Sequence, residues 1–311
     1  MVLFLQPVFQ ERIWGGTQLK NFNYNIPFDH TGECWAISAH PNGPNVITNG
    51  PYQGYTLDQV WEQAPSLFGA SGQQNFPLLT KILDANDKLS VQVHPDDNYA
   101  QKYEGENGKT ECWYILDAAP DAEIIYGVNA DNQDELNQML DQGDFETLFH
   151  HIKVTKGDFF YVPSGTVHAI GKGIMILETQ QSSDTTYRIY DYERTDSNGK
   201  QRELHLEQSK AVIDVDRQIP QTRLPKEQYE QYTYQQLVST TFFTVEKWDI
   251  HQQLAFDKQQ PYYLVSVIEG EGVLYIGQQH FDLEKGAHFI LTTEDQDIYF
   301  TGNFSMIVSY V

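Results

Sequence analysis

Basic residues are scarce in this chain. Lysine and arginine number 20 against 43 acidic residues, so the formal net charge is −23 with ten histidines counted neutral. A surface of that sign repels nucleic acid and anionic membrane, and both are excluded as partners. Cysteine is scarcer still: Cys34 and Cys112 are the only two in 311 residues. Two thiols make no disulfide framework and suit a reducing compartment. Long apolar runs are also missing. No stretch approaches the ~20 residues of a membrane span. The apolar start Met1-Val2-Leu3-Phe4-Leu5 is too short for a signal peptide and has no Lys or Arg before it. The expectation is a soluble cytoplasmic protein. No P-loop or Gly-x-Gly-x-x-Gly occurs, so nucleotide binding has no support.

What is present is mostly strand. Short runs rich in Val, Ile, Tyr and Phe are separated by Gly, Asn and Pro, as in Leu89 to His94, Thr166 to Ile170 and Leu274 to Ile276. This spacing predicts a mainly β fold. Two helical segments interrupt it. Residues 131–149 carry Leu136, Met139, Leu140, Phe145 and Leu148, with Gly143 predicted to split them into two short helices. Leu206 to Ile213 is the other. Residues 193–203, with Asp196-Ser197-Asn198-Gly199, read as a polar hairpin-like loop, and 214–228, with Pro220 and Pro225, as a connector.

A weak internal repeat is present. The segment 157–173 aligns with 286–302, opening and closing on Gly in both copies, and 113–127 aligns with 263–277. The second copy has Asp297 where the first has His168, and Thr292 where the first has Pro163. The division expected is therefore residues 1–205 as a metal-binding unit with its helical insert near 131–149. Residues 206–311 are then a connector helix and a second, degenerate β unit without metal ligands.

The candidate ligands come from three places. Gln92 and His94 are two apart on an alternating run, so they share a face with Ser90, while Leu89, Val91 and Val93 take the other. Glu111 opens the apolar run Cys112-Trp113-Tyr114-Ile115-Leu116, and Cys112 points away from its face. His168 lies in Gly157-x5-Pro163-x-Gly165-x-x-His168, a tight turn that feeds a strand. That spacing resembles the second metal motif of the cupin superfamily. With it, His94, Glu111 and His168, with Gln92 as a fourth ligand, form one metal set. Two imidazoles and a carboxylate suit zinc and equally suit iron(II). The shortage of thiolates favours an open, catalytic site over a closed structural one.

Longer blocks carry a more specific resemblance. They are Pro7 to Gly16, Gly32 to Ser38, Phe76 to Ala85, Leu89 to Asp97, Gly108-Lys109-Thr110-Glu111, Pro163 to His168, Glu178 to Arg188 and Phe243 to Trp248. Together the chain resembles, end to end, the type I mannose-6-phosphate isomerases in their short bacterial form. The resemblance implies two cupin-type β-barrels or jelly rolls in tandem with a small helical insert. It implies one Zn2+ per chain on Gln92, His94, Glu111 and His168. The implied activity is an aldose–ketose isomerisation of mannose 6-phosphate and fructose 6-phosphate through an enediol. The implied catalytic neighbourhood is Lys109, Arg188, Asp184 and Glu178.

The chemistry is consistent with those residue types. Negative charge develops on two neighbouring oxygens as a proton leaves carbon, so cations are needed there. Lys109 lies two residues before Glu111 and can share its face; beside a metal its ammonium would be disfavoured, making it a base. Arg188 shares a face with Thr186 and Tyr190 and offers a fixed fork to an enediolate or a phosphate. Asp184 and Glu178 are candidates for orienting Arg188 or relaying protons. Ser90 and Lys81 are candidate substrate contacts for the phosphate. The competing readings are an iron(II) cupin dioxygenase and a sugar-binding cupin module. The expected partner is a small sugar phosphate; the sequence specifies no oligomeric state.

Overall fold

The computed structural model describes all residues except 71, 196–198, 218–221 and 223. The Val/Ile/Tyr-rich runs form strands in three antiparallel sheets of ten, six and five strands, and none closes into a complete barrel. The fold is mainly β, as expected, with the jelly-roll layers left open.

Alternation of side chains dictates the layers. One face of the six-stranded sheet and the inner face of the five-stranded sheet enclose a cluster with Trp14, Leu83, Trp113, Ile115, Ile124 and Ile170. The outer face of the five-stranded sheet, through Val91, Val93, Ala169 and Ile189, packs against the helical insert at Leu136, Leu140 and Leu148. The outer face of the six-stranded sheet, with Cys34, Ile82 and Cys112, packs against Leu237, Val245 and Leu264 of the ten-stranded sheet. Both thiols are buried and unpaired.

The insert is two helices, Gln133–Gln142 and Phe145–Leu148. Gly143 ends the first in the left-handed region at φ 70°, where a residue without Cβ is unstrained. Two further helices, Leu57–Gln63 and Asp97–Tyr103, have little apolar periodicity of their own. The first starts on a capping box of Thr56 and Gln59 and the second on the Asp96 side chain, which accepts from Tyr99 N at 2.8 Å. The residues Asp196 to Asn198 of the expected loop, and Pro220 of the expected connector, lie outside the described residues.

The expected division after residue 205 is crossed twice. Strand Leu3–Gln6 pairs with His288–Leu291 and with Val46–Ile47, so the start of the chain sits in the sheet of the C-terminal strands. Helix Leu206–Val212 packs the other way, on the five-stranded sheet, with Leu206, Val212 and Ile213 against its outer cluster. Sheet pairing between distant segments leaves no local mark in sequence.

The repeat has a spatial counterpart. Strand Glu111–Ala118 lies between Phe159–Val162 and Ile174–Gln181, which then pairs with Leu78–Ala85. Strand Tyr263–Ile276 lies in the same way between His288–Leu291 and Ile298–Tyr310, which pairs with Thr244–Ile250. The register differs from the sequence alignment by two residues. Val162 pairs with Glu111 and its counterpart Leu291 pairs with Tyr263, so Tyr263 stands in the place of Glu111 rather than of Trp113. A shift of two keeps every side chain on its face, which is why the hydrophobic pattern does not register it.

Candidate active site

His94 follows strand Val91–Val93, Glu111 opens its strand, and His168 begins the two-residue strand His168–Ala169. His168 pairs with Gln92 across the five-stranded sheet. The turn before it needs Gly165, whose φ of +84° and close approach to Val212 O exclude a Cβ. Gly165 N donates to His94 O at 2.8 Å, which ties the turn to the neighbouring ligand strand.

The three candidate ligand atoms lie within 4.8 Å of one another and could hold a metal ion. His94 Nε2 is 3.4 Å from Glu111 Oε2, and His168 Nε2 is 3.4 Å from Glu111 Oε1. All three side chains are about 1% exposed. His94 Nε2 and Glu111 Oε2 make no hydrogen bond although buried. A buried imidazole lone pair facing a carboxylate oxygen costs free energy unless something electrophilic sits between them. The donor set therefore fits a divalent metal. Gln92 Nε2 lies 3.3 Å from His168 Nε2, at the edge of the same cluster.

Burial lowers the pKa of His94 to about 3, with Lys109 adding to the effect, and lowers that of His168 as well. Both rings are thus neutral, the form that binds metal. Burial works against the Glu111 charge, but the Lys109 ammonium outweighs it and holds its pKa well below the usual range.

A cavity of about 350 Å3 opens over this cluster, between the two sheets. Every other candidate lines it: Lys81, Ser90, Lys109, Glu178, Asp184 and Arg188. Lys109 Nζ is 3.3 Å from Glu111 Oε2. Burial disfavours its ammonium, but Glu111, Glu178 and Asp184 prevail and raise its pKa. Without a metal, these partners favour the ammonium form of Lys109. Glu178 is different. Burial and then Glu111 push its pKa up to about 7, against the pull of Lys109 and Lys81. The Trp113 indole N–H donates to Glu111 Oε1 and Glu178 Oε2, both at 3.0 Å.

Arg188 lines the cavity with Thr186, but Tyr190 does not. The register shifts between Arg188 and Tyr190, and Tyr190 turns outward to stack on Phe145 at 4.5 Å. A bulge of this kind reverses the expected face. Arg188 Nη1 donates to Glu203 O at 2.8 Å, and its buried Nε makes no hydrogen bond. Among the described residues neither Asp184 nor Glu178 orients it. Asp184 instead accepts from Asn42 Nδ2 at 3.0 Å. Leu89, expected with Val91 and Val93, belongs to the inner cluster and lines the cavity, because the strand begins only at Val91.

Three charged residues of the cavity were not anticipated: Arg12, Glu33 and Arg202. Arg12 Nε donates to Glu33 Oε1 at 2.8 Å, and Glu33 Oε2 accepts from Trp35 Nε1 at 2.7 Å. Burial opposes the Glu33 charge, but Lys81 and Arg12 win and lower its pKa to about 2. Lys81 sits 3.9 Å from Glu33 and 4.0 Å from Glu178, nearly buried between them. Arg12 and Glu33 lie in matched sequence blocks, and the rarity of cations could have singled out Arg12. Arg202 comes from the polar loop and had no signal; it is held by two hydrogen bonds to Asp191, at 2.8 and 2.6 Å.

Known proteins align with this arrangement along the whole chain. Residues 2–122 match the family model "Phosphomannose isomerase type I, catalytic domain", and residues 233–311 match "Mannose-6-phosphate isomerase, cupin domain". The chain is 51% identical over 310 residues to mannose-6-phosphate isomerase ManA of Bacillus subtilis, covering 99% of this chain and 98% of that one. It is 52% identical over 311 residues to a mannose-6-phosphate isomerase of Streptococcus mutans, with the same coverage. The crystal structure of a Bacillus subtilis mannose 6-phosphate isomerase superposes with a TM-score of 0.97 at 47% identity, over 100% of this chain and 99% of that one.

Proposed function

The chain belongs to the type I phosphomannose isomerases, and from that premise we propose how its cavity interconverts mannose 6-phosphate and fructose 6-phosphate. The observation that carries the reading is the convergence of His94, Glu111 and His168, with the buried His94 Nε2 facing the Glu111 carboxylate, under a cavity that holds five cationic side chains. The metal assigned is one zinc ion, with Gln92 as fourth ligand through its amide oxygen. When bound, zinc supplies Lewis-acid polarisation of the substrate's oxygens.

The remaining work falls to the chain. Isomerisation removes a proton from C2 and returns it to C1 through an enediol, so a group must carry it. Glu178 suits this role because its pKa of about 7 leaves both protonation states populated near neutrality. Lys109 donates to the oxygen on which negative charge develops, and Arg188 stabilises the same charge from the opposite sheet. Asp184, at the rim, assists the opening of the sugar ring as an acid or base. Ser90 and Lys81 contact the phosphate end of the substrate. Catalysis is assigned to the N-terminal unit, and the C-terminal unit is a copy without metal ligands.

A coupled assay from fructose 6-phosphate, with metal content measured on the same sample, tests this reading. An iron(II) dioxygenase would instead consume oxygen and retain iron.

A further inference from the structure

The C-terminal unit carries a second cavity of about 370 Å3, close in size to the first. Tyr232, Tyr234, Glu246, Trp248, Phe256 and Tyr263 are among its lining residues. Its place in the fold is the informative point. In the N-terminal unit Glu178 pairs with Trp113 and with Lys81, and the next inward pair along that strand joins Leu83 to Glu33. In the C-terminal unit Val308 pairs with Val265 and with Glu246, and the next inward pair joins Trp248 to Tyr234. Glu246 therefore stands where Lys81 stands, Trp248 where Leu83 stands, Tyr234 where Glu33 stands, and Tyr263 where Glu111 stands. The copy has lost the metal ligands and kept the cavity, relined with aromatic rings.

The lining defines what fits. No Lys or Arg is among the described lining residues, so an anion such as a sugar phosphate has no partner there. The carboxylates are engaged by hydroxyl, indole and amide donors and keep further acceptor lone pairs. Glu246 is 6% exposed and accepts from Tyr234 Oη at 2.9 Å, Trp248 Nε1 at 3.0 Å and Tyr310 Oη at 2.8 Å. Glu227 accepts from Tyr229 Oη at 2.7 Å, and Asp257 from Gln259 Nε2 at 3.2 Å. Neutral groups are open beside them. Tyr234 and Tyr310 donate to Glu246 and keep acceptor lone pairs. Tyr263 Oη accepts from the backbone N–H of Gln259 and Gln260 at 3.0 and 3.1 Å, so its own proton is left to donate. Beside these run Tyr229, Tyr232 and Trp248, which stack on one another with centroids 4.5 and 5.9 Å apart and form one continuous aromatic wall. An aromatic wall edged by mixed donors and acceptors matches a ring with one C–H face and several hydroxyls.

We propose that the C-terminal unit binds an uncharged hexopyranose in this cavity, with the sugar's C–H face against the wall of Tyr229, Tyr232 and Trp248. The inference stands on this cavity alone and does not depend on the reaction assigned to the first.

Saturation-transfer NMR on the full-length, zinc-loaded protein tests it. The probes are the methyl pyranosides of mannose, glucose and galactose, with saturating fructose 6-phosphate present to fill the first cavity. The expected result is transfer to the ring C–H protons of at least one probe. Trp248→Ala should weaken that binding about tenfold, the scale of one aromatic face, while leaving isomerase kcat/KM within about twofold. Tyr229→Ala, which removes an exposed ring, should weaken binding in the same direction if Trp248→Ala fails to fold. The proposal is overturned if no pyranoside shows transfer, if the folded ring variants bind as well as the parent, or if tetramethylammonium binds there and the sugars do not.

Discussion

His94 and His168 are held as mirror partners around one carboxylate. Each ring donates its Nδ1 hydrogen to a backbone carbonyl 2.9 Å away, Thr185 O for His94 and Thr166 O for His168. Each turns its Nε2 toward a different oxygen of Glu111 at 3.4 Å. The carbonyls select the tautomer in which Nε2 carries a lone pair, so the site is set for a metal by groups outside the ligand set.

Glu111 is the centre of that arrangement, and Glu111→Ala should abolish turnover while leaving the fold intact. Zinc content should drop from about one per chain to below about a tenth, since a ligand and the only anion between the two rings are lost. Elemental analysis and far-ultraviolet circular dichroism on the same sample check both halves. Near-normal activity at low free zinc would remove the metal assignment.

The Thr185 carbonyl is itself positioned. Glu106 Oε2 accepts from Ser183 Oγ, Asp184 N and Thr185 Oγ1 at 3.2, 3.3 and 2.9 Å. Glu106→Ala should free this loop and weaken zinc binding by about 10–100-fold, the usual cost of losing support behind a ligand. Competition against a zinc chelator measures it, and an unchanged affinity would make the loop irrelevant to His94.

Arg188→Ala should lower kcat by about 10²–10³-fold with little change in zinc content, because the role proposed for Arg188 is on the developing charge and its side chain bonds to Glu203 O rather than to a ligand side chain. Arg188→Lys should recover only part of it, since the fork is lost. Steady-state kinetics decide the role: a rise in KM alone would make Arg188 a binder of substrate.

The pH dependence of the metal-free protein follows from opposing shifts. The pKa of Glu178 is raised to about 7, so its contribution to stability is full below its unfolded value near 4.5 and is lost as pH rises through 7. That of His94 is lowered to about 3, so its contribution is present above about 6.5 and is lost as pH falls. Glu178→Gln should therefore raise Tm relative to the parent at about pH 8 and not at about pH 5. Thermal melts of chelated protein at the two values check the sign.

Much of this was legible in sequence because the ligands sit on regular alternation. Gln92 and His94 share a face by period two, and the turn residues Pro163 and Gly165 mark His168. The Arg188 strand misled at Tyr190 because a bulge changes face without changing composition. Arg202 enters the cavity from a polar loop with no motif, and Arg12 and Glu33, although in matched blocks, reach it only through tertiary pairing. Strand Leu3–Gln6 was placed with the wrong unit for the same reason: its partner, His288–Leu291, is almost the whole chain away.

A buried metal on His94, Glu111 and His168 is proposed to drive isomerisation. The most direct measurement is a coupled assay converting fructose 6-phosphate to mannose 6-phosphate on the parent protein, before chelation, after chelation and after zinc is restored. The expected result is activity that is lost on chelation and returns with about one zinc per chain. Activity that survives complete metal removal, or a chelated protein that zinc cannot restore although it stays folded, would contradict it.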